Sequence, residues 1–411
     1  MAPRRQPLGV WLDGQRIAEL QAIRPWSLRC RYTDDALRRW PRNSPIISCS
    51  LPLQNNAQDA SAFCKGLLPE GRQLAEMARL ARVAANDVHA LLDRFGRDVA
   101  GALSISAQEP NVRRESVVTL SEDNLADEVA ALTEQALGLH DDSELSIAGL
   151  QDKMLLVDLG NGQWGRPVHG RPSTHILKLD DRRRPGLIAA EAQCLALARS
   201  LDLTTVDATV CTIADLECLI VSRFDRRVDH DGTVRRVHQE DACQALGRDL
   251  DANRGRGKYE SGGGPSLGEV AGLLERFARD IPYELARLLA VTTFNVAIGN
   301  ADAHGKNLAL LHPDPETVEL APLYDTVPTV LWPQLRTAGA MSISARWELD
   351  DITTEDLVDE AGRWSLEPGR ARAVVDETLE QLRTAVGAGV IDSGSQLTEH
   401  VQRRIGEIAV R

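Results

Sequence analysis

Asp302, Asn307 and Asp325 are the residues of this chain whose types and spacing suit one reaction. The first two lie in the stretch Ile298-Gly299-Asn300-Ala301-Asp302-Ala303-His304-Gly305-Lys306-Asn307, and Asp325 follows eighteen residues after Asn307 in Pro322-Leu323-Tyr324-Asp325. An Asp with an Asn five positions on is what phosphoryl transfer needs on a catalytic loop. The Asp accepts the proton of an attacking hydroxyl, the Asn reaches Mg²⁺, and a second carboxylate holds the metal against a triphosphate. A polar loop whose Asn and Asp only cap turns would have the same composition. The weight of the reading therefore rests on segments upstream.

Ser146-Ile-Ala-Gly-Leu-Gln-Asp-Lys153 is a small, Gly-containing loop ahead of a strand, Met154 to Leu159, and the turn Asn161-Gly162. Such a loop can turn its backbone N–H groups toward phosphates; with one Gly, a structural turn fits as well. Lys178 ends the apolar strand Thr174-His-Ile-Leu-Lys178, and Glu191 opens a helix over 192–198. A strand Lys followed by a helix Glu is the ion pair that aims a kinase lysine at the α- and β-phosphates. A Glu placed by the helix macrodipole is the plain alternative. The apolar strand Glu217 to Val221 runs into Ser222-Arg-Phe-Asp-Arg226, which suits a hinge whose backbone reads a base.

These groups need scaffolding from both element types. Val10-Trp11-Leu12 and Ile17 to Leu20 flank Asp13-Gly14, a tight-hairpin signal, and Ser27 to Tyr32 alternates. A helix follows with Pro69 and Glu70 in its first turn, then a short one from Asp87 to Phe95, and 96–105 reads as strand. Gln108 to Glu115 reads as a linker, Leu125 to Leu137 as a helix, and Gln239 to Gly247 as the start of a helical region. Gly262-Gly263-Gly264 reads as a flexible loop. Beyond Ser266 the pattern is helical: Leu267 to Phe277, Tyr283 to Ile298, Thr354 to Ala361, Arg370 to Val386 and Ser395 to Ile408. The run Leu288 to Ile298 is too short for a membrane span and reads as a buried helix.

The 411 residues carry 60 acids against 47 bases, a net charge of −13, which disfavours a chain that wraps nucleic acid by itself. Arg248 to Lys258 is a candidate local basic patch. Seven Cys without a C-x-x-C pair argue for reduced thiols in a cytosolic protein and against a zinc site or a disulfide framework. Met1-Ala-Pro-Arg-Arg is not followed by an apolar segment, so no signal peptide and no membrane attachment are expected.

The order of phosphate loop, strand Lys, helix Glu, hinge, Asp-x4-Asn and metal Asp is that of a two-lobed kinase without its H-R-D or D-F-G spelling. In FCKGLLPEG, SIAGLQDK, THILK, VSRFDR, HQEDACQALG, GNADAHGKN and APLYD the sequence resembles the HipA toxins, serine/threonine kinases of bacterial type II toxin–antitoxin modules. The matching stretches span about residues 60 to 330 in family order. The resemblance implies an α+β, two-lobed protein-kinase-like fold, with an all-helical C-terminal lobe. Its expected divisions are an N-terminal α+β subdomain over 1–107, the rest of a strand-rich lobe over 108–221, and the helical lobe over 222–411.

It also implies roles. Asp302 matches the catalytic Asp, and Asn307 and Asp325 match the Mg²⁺ ligands. Ala148, Gly149, Leu150, Gln151, Asp152 and Lys153 match the loop over the ATP phosphates, and Lys178, paired with Glu191, matches the ATP lysine. Ser222, Arg223 and Phe224 match the hinge, while His304, Gly305, Lys306, Asn307 and Tyr324 line the nucleotide. Ser146 matches a loop serine that such kinases autophosphorylate to switch themselves off. An antitoxin of HipB type with a helix-turn-helix domain, indirect attachment to operator DNA, and a protein substrate (in the family commonly an aminoacyl-tRNA synthetase) are the implied partners. Two positions depart from the family: Ser222 stands where Glu is expected, and Leu179 where Pro often follows the Lys. A small-molecule phosphotransferase and a nucleotide-binding co-repressor without catalysis are the alternatives; intact Asp302, Asn307, Asp325 and Lys178 argue against the second.

Overall fold

The computed structural model describes residues 5–110, 115–133 and 152–410. The chain divides into two compact units. One is strand-rich and comprises Met1–Asp180, Val210–Glu240 and Leu311–Glu316; the other is helix-rich and comprises Asp181–Thr209, Asp241–Leu310 and Thr317–Arg411.

The strand-rich unit begins with an antiparallel sheet of β1 (Leu8–Leu12), β2 (Gln15–Arg24), β3 (Ser27–Tyr32), β4 (Gln58–Asp59) and β5 (Ser104–Ser106), in the order β4-β3-β2-β1-β5. Asp13 and Gly14 both take positive φ, 49° and 74°, as a two-residue hairpin turn requires. Helices α1 (Asp34–Arg39), α2 (Ser61–Gly66), α3 (Gly71–Ala81) and α4 (Val88–Phe95) share one core with the sheet, built on Leu20, Leu28, Phe63, Met77, Leu91 and Phe95. Pro69 and Glu70 precede α3 and are not part of its first turn; Glu70 is its extended N-cap residue. The strand expected over 96–105 shrinks to β5, because Gly101 turns at φ 82° and gives its N–H to the Asp225 carboxylate at 2.7 Å.

The second sheet holds β6 (Ser116–Leu120), β7 (Lys153–Asp158), β8 (Trp164–Val168), β9 (His175–Leu179), β10 (Ala208–Ile213) and β11 (Leu216–Ser222), in the order β10-β11-β9-β7-β8-β6. Strand alternation gives β7 two faces. Met154 and Leu156 join a core with Val129 of α5 (Glu122–Ala131), whereas Leu155 joins the core of the first sheet. The strands β12 (Arg226–Val228) and β13 (Val234–Arg236) form an antiparallel hairpin whose loop holds Asp231 and Gly232.

Four charges are buried together in one cluster of this unit. Arg223 donates to Asp225 at 2.8 and 2.9 Å, and Arg226 donates to Asp98 at 2.7 Å. Burial by itself would raise both carboxyls. The Arg223 and Arg226 guanidiniums more than offset it and hold Asp225 and Asp98 below the usual carboxylate range. Glu240, fully buried on β14 (His238–Asp241), accepts from Ser48 Oγ, the Cys49 amide and His312 Nε2, and so fixes the loop around Ser48.

In the helix-rich unit, α6 (Leu187–Ser200), the short α7 (Ala242–Ala245) and α8 (Ala252–Gly255), and α9 (Leu267–Phe277) precede the central α10 (Ile281–Ile298). The helical region expected from Gln239 is mostly strand: β14 ends at Asp241, which caps a single turn through a capping box with Gln244. Asp280 caps α10, Pro282 sits in its first turn, and apolar residues surround it. It is buried because α9, α11 (Thr354–Gly362), α12 (Pro368–Gly387) and α13 (Gln396–Val410) pack against it. The unit is helix-dominated and not wholly helical, since β17 (Ala338–Ile343) and β18 (Arg346–Glu348) pair antiparallel; β15 (Ala309–His312) and β16 (Glu319–Leu320) are the intervening strands. All seven Cys are free thiols. Among the described residues no helix is long and apolar enough to cross a membrane.

His238 makes the strand-rich unit acid-sensitive. Its Nε2 faces the Ile47 carbonyl at 2.9 Å and its Nδ1 faces the Ala102 amide at 3.4 Å, a pattern that only the neutral ring satisfies. Burial, then His312, pushes its pKa down to about 3. The unfolded histidine titrates near 6.5, so the unfolded chain takes up the proton first as pH falls. Stability is complete above about pH 6.5 and declines toward pH 3 by roughly 1.4 kcal/mol per unit. Urea midpoints at pH 7.5, 6 and 5 should fall steadily, and His238→Gln should flatten the slope. Parallel slopes for the two proteins would contradict this assignment.

Candidate active site

The loop that carries Asp302 begins at a helix end that only Gly can form. Gly299 caps α10 at φ 77°, and a Cβ there would lie 2.3 Å from Val330 Cγ2. Four buried polar side chains then set the path. Asn300 Nδ2 donates to Asn295 Oδ1 at 2.9 Å and to Thr326 Oγ1 at 3.4 Å, and Thr326 Oγ1 donates to Asn295 Oδ1 at 3.3 Å. The Asp302 amide donates to Asn300 Oδ1 at 3.1 Å, and the Ala301 amide to Thr329 Oγ1 at 2.8 Å. Thr326 follows Asp325 directly, so the loop of Asp302 and the segment of Asp325 are fastened by one network. Tyr324 adds a further tie, its hydroxyl donating to the Lys306 carbonyl at 2.6 Å. Asp325 itself takes φ 50°, a left-handed conformation that Asp tolerates better than most residues.

Inside the loop the chain folds on itself. The His304 amide and Asn307 Nδ2 both donate to the Asp302 carbonyl, at 2.8 and 3.0 Å, and the Asn307 amide donates to the His304 carbonyl at 2.8 Å. With its nitrogen so used, Asn307 keeps its amide oxygen as the acceptor end. Asn307 and Asp325 are hard oxygen donors, the kind that suit Mg²⁺. Among the described residues no group of three or more His, Cys, Asp and Glu is placed to hold a metal. Burial pushes the His304 imidazole down to about 4; Asp302 pulls it up, while Lys258 and Lys306 lower it further. The ring is therefore neutral at pH 7. Lys306 is buried with its Nζ 4.0 Å from the Asp241 carboxylate.

The segment read as a flexible glycine loop is tightly packed. A Cβ on Gly262 would lie 2.1 Å from the Arg256 carbonyl oxygen, and one on Gly264 would lie 2.6 Å from the Lys258 carbonyl carbon. Gly305 is equally confined: a Cβ would meet Pro265 at 2.6 Å and Cys243 Sγ at 2.8 Å, and its amide donates to the Lys258 carbonyl at 3.1 Å. This packing brings Tyr259 to the site, with its hydroxyl donating to Asp302 Oδ1 at 2.9 Å. Of the candidate basic patch, Lys258 is buried and Arg248 pairs with Glu269, while Arg254 and Arg256 stay exposed. Tyr259, Asn295, Asn300, Thr326 and Thr329 were not picked out by sequence reasoning. An Asn inside the apolar run of α10 was the one signal that could have exposed the network.

The remaining predicted residues are on other elements. In the strand-rich unit Lys153 and Lys178 are direct cross-strand partners on β7 and β9, 5% and 7% exposed, on the face that also carries Leu155 and Ile176. The Asp152 carboxylate pairs with Arg72 at 3.4 Å. Ser222 ends β11 opposite His175. Arg223 does not offer its side chain to a ligand, because the guanidinium is taken by Asp225, Ser173 and the Val99 carbonyl; its amide donates to Thr174. Phe224 is half-buried beside it. Glu191 belongs to the helix-rich unit. It is buried in the second turn of α6 and does not open the helix, which starts earlier because Gly186 takes φ 83° just before Leu187. Ser146, Ala148, Gly149, Leu150 and Gln151 lie outside the described residues.

Residues 145–386 match the family described as HipA-like C-terminal domain, and residues 8–106 match HipA N-terminal domain. The chain is 35% identical over 387 residues to a putative kinase, Y4mE, of Sinorhizobium fredii, covering 91% of this chain and 90% of that protein. It is 26% identical over 337 residues to the serine/threonine-protein kinase toxin HipA of Shewanella oneidensis, covering 79% and 76%. A solved structure of the Shewanella oneidensis MR-1 toxin–antitoxin system, HipA with HipB and its operator DNA, superposes with a TM-score of 0.81 at 23% identity, covering 98% of this chain and 95% of that one; the two share a fold.

The network makes a prediction about Asn300. Asn300→Ala removes the acceptor of the Asp302 amide and a partner of Asn295 and Thr326, leaving buried polar groups unsatisfied. It should cost roughly 1–3 kcal/mol in chemical denaturation. A variant as stable as the parent would show that the network does not hold the loop.

Proposed function

We propose that this chain, which belongs to the HipA family, is a serine/threonine protein kinase that uses Mg·ATP and acts as the toxin of a two-component module. The observation that carries the reading is that the Asp302 loop and the Asp325 segment are fastened together by buried side chains, with Asn307 on the same loop. Asp302 takes the proton of the substrate hydroxyl as that oxygen bonds to the γ-phosphorus; the bond from phosphorus to the bridging oxygen breaks and ADP leaves. Asn307 and Asp325 are the residues that would hold Mg²⁺, which neutralises triphosphate charge when bound. Lys153 and Lys178, buried on facing strand positions, are the basic groups that would meet the α- and β-phosphates. Neutral His304 lines the nucleotide without adding charge.

Family membership supports the finer parts of the proposal. A helix-turn-helix antitoxin of HipB type would bind the kinase and bring it to operator DNA. The substrate would be a protein, an aminoacyl-tRNA synthetase being the class to try first. Ser146 would be the autophosphorylated residue that ends activity. The cytosol is the compartment that fits ATP use and seven free thiols.

Two aspartates separate the chemistry from the metal. With labelled ATP, Asp302→Ala should lose roughly two to four orders of magnitude in autophosphorylation rate while binding ATP normally. Asp325→Ala should also raise the Mg²⁺ concentration needed for ATP binding. Near-normal autophosphorylation of Asp302→Ala removes that residue from the mechanism. Identical Mg²⁺ titrations for the two variants refute the division of roles.

A further inference from the structure

Tyr259 lies 43 positions before Asp302 and belongs to none of the motifs that mark the loop. Its hydroxyl donates to Asp302 Oδ1 at 2.9 Å. The ring is held on several sides. The His304 imidazole meets it edge-on at 5.3 Å, and the Arg336 guanidinium lies over it, 4.7 Å from the ring centre. Arg336 is itself fixed by donating to the Ala338 and Gly339 carbonyls at 3.2 and 3.1 Å. The residues on either side of Tyr259 are fastened too. The Lys258 carbonyl accepts from the Gly305 amide, and the Glu260 carboxylate accepts from the Ser342 amide at 2.6 Å and the Ser342 hydroxyl at 3.1 Å. The phenol oxygen is thus delivered to one place. Filling that space alone would need only Phe.

A carboxylate on a single methylene turns broadly about its last torsion. A proton acceptor in phosphoryl transfer must instead keep one oxygen aimed at the incoming hydroxyl, since a loosely held group loses most of its effect. We propose that Tyr259 is a positioning residue: by occupying Oδ1 it leaves Oδ2 of Asp302 directed at the substrate hydroxyl. The inference rests on the reading of Asp302 as the proton acceptor. It adds a residue of the glycine-rich 257–264 segment to the machinery. It also accounts for the close packing of that segment, where Gly257, Gly262 and Gly264 let the backbone approach closely enough to bring the ring to the loop.

The test is autophosphorylation with γ-labelled ATP, followed as a rate constant against ATP concentration, for the full chain and for Tyr259→Phe, Asp302→Ala and the double variant. Tyr259→Phe should lower the limiting rate roughly ten- to hundredfold, the range for losing a hydrogen bond to a charged group. The half-saturating ATP concentration should not move, and the change should have no further effect in the Asp302→Ala background. An unchanged or raised limiting rate would overturn the inference. So would a loss seen only as weaker ATP saturation, or an equal loss in the Asp302→Ala background. Failure of Asp302→Ala to slow transfer is a different outcome: it would refute the assignment of Asp302 beneath the inference.

Discussion

The Asn300 carboxamide makes three hydrogen bonds, to Asn295, to Thr326 and to the Asp302 amide, and the geometry of the candidate site depends on them. Buried polar networks are stronger than their surface counterparts when every member is satisfied, and costly when one is lost. Here that property is used for registration. α10 supplies Asn295, the loop supplies Asn300, and the segment after Asp325 supplies Thr326 and Thr329. A hydrophobic contact could hold these pieces near each other but would not set the direction in which Asp302 and Asp325 face. Gly299, Gly305 and Gly264 act with the network by letting neighbours approach more closely than any Cβ permits: side chains at Gly299 and Gly305, backbone at Gly264.

The strand-rich unit meets a similar problem with full charges. Arg223, Arg226, Asp98 and Asp225 are buried together, and removing one partner would leave another uncompensated. The cluster fixes the chain just after β11, where sequence reasoning placed a hinge, and it explains why Arg223 serves the scaffold through its side chain. The two buried lysines on neighbouring strands, Lys153 and Lys178, are not members of this cluster.

Much of the helical framework was legible. The helical pattern from Leu267 to Phe277 matches α9, and the apolar run after Leu288 announced a buried helix. The segment of Asp302 was legible as a polar loop because five polar residues arrive abruptly after that run. Tyr259 was not, because its value comes from a contact 43 positions away that no local pattern encodes. Gly262 to Gly264 was misread because glycine looks flexible in isolation, whereas its close packing exists only in the tertiary fold. The position of Glu191 slipped because the helix start depends on Gly186 adopting positive φ, and the facing of Lys153 and Lys178 depends on a strand register that alternation alone does not fix.

The loop of Asp302 and the segment of Asp325 are fastened as one unit. A double-mutant cycle of Asn300→Ala and Thr326→Val tests it most directly, read both as unfolding free energy and as the rate of labelled-phosphate transfer. An interaction energy of about 1 kcal/mol or more is expected in each readout. Effects that add to within about 0.5 kcal/mol, as independent sites do, would contradict it.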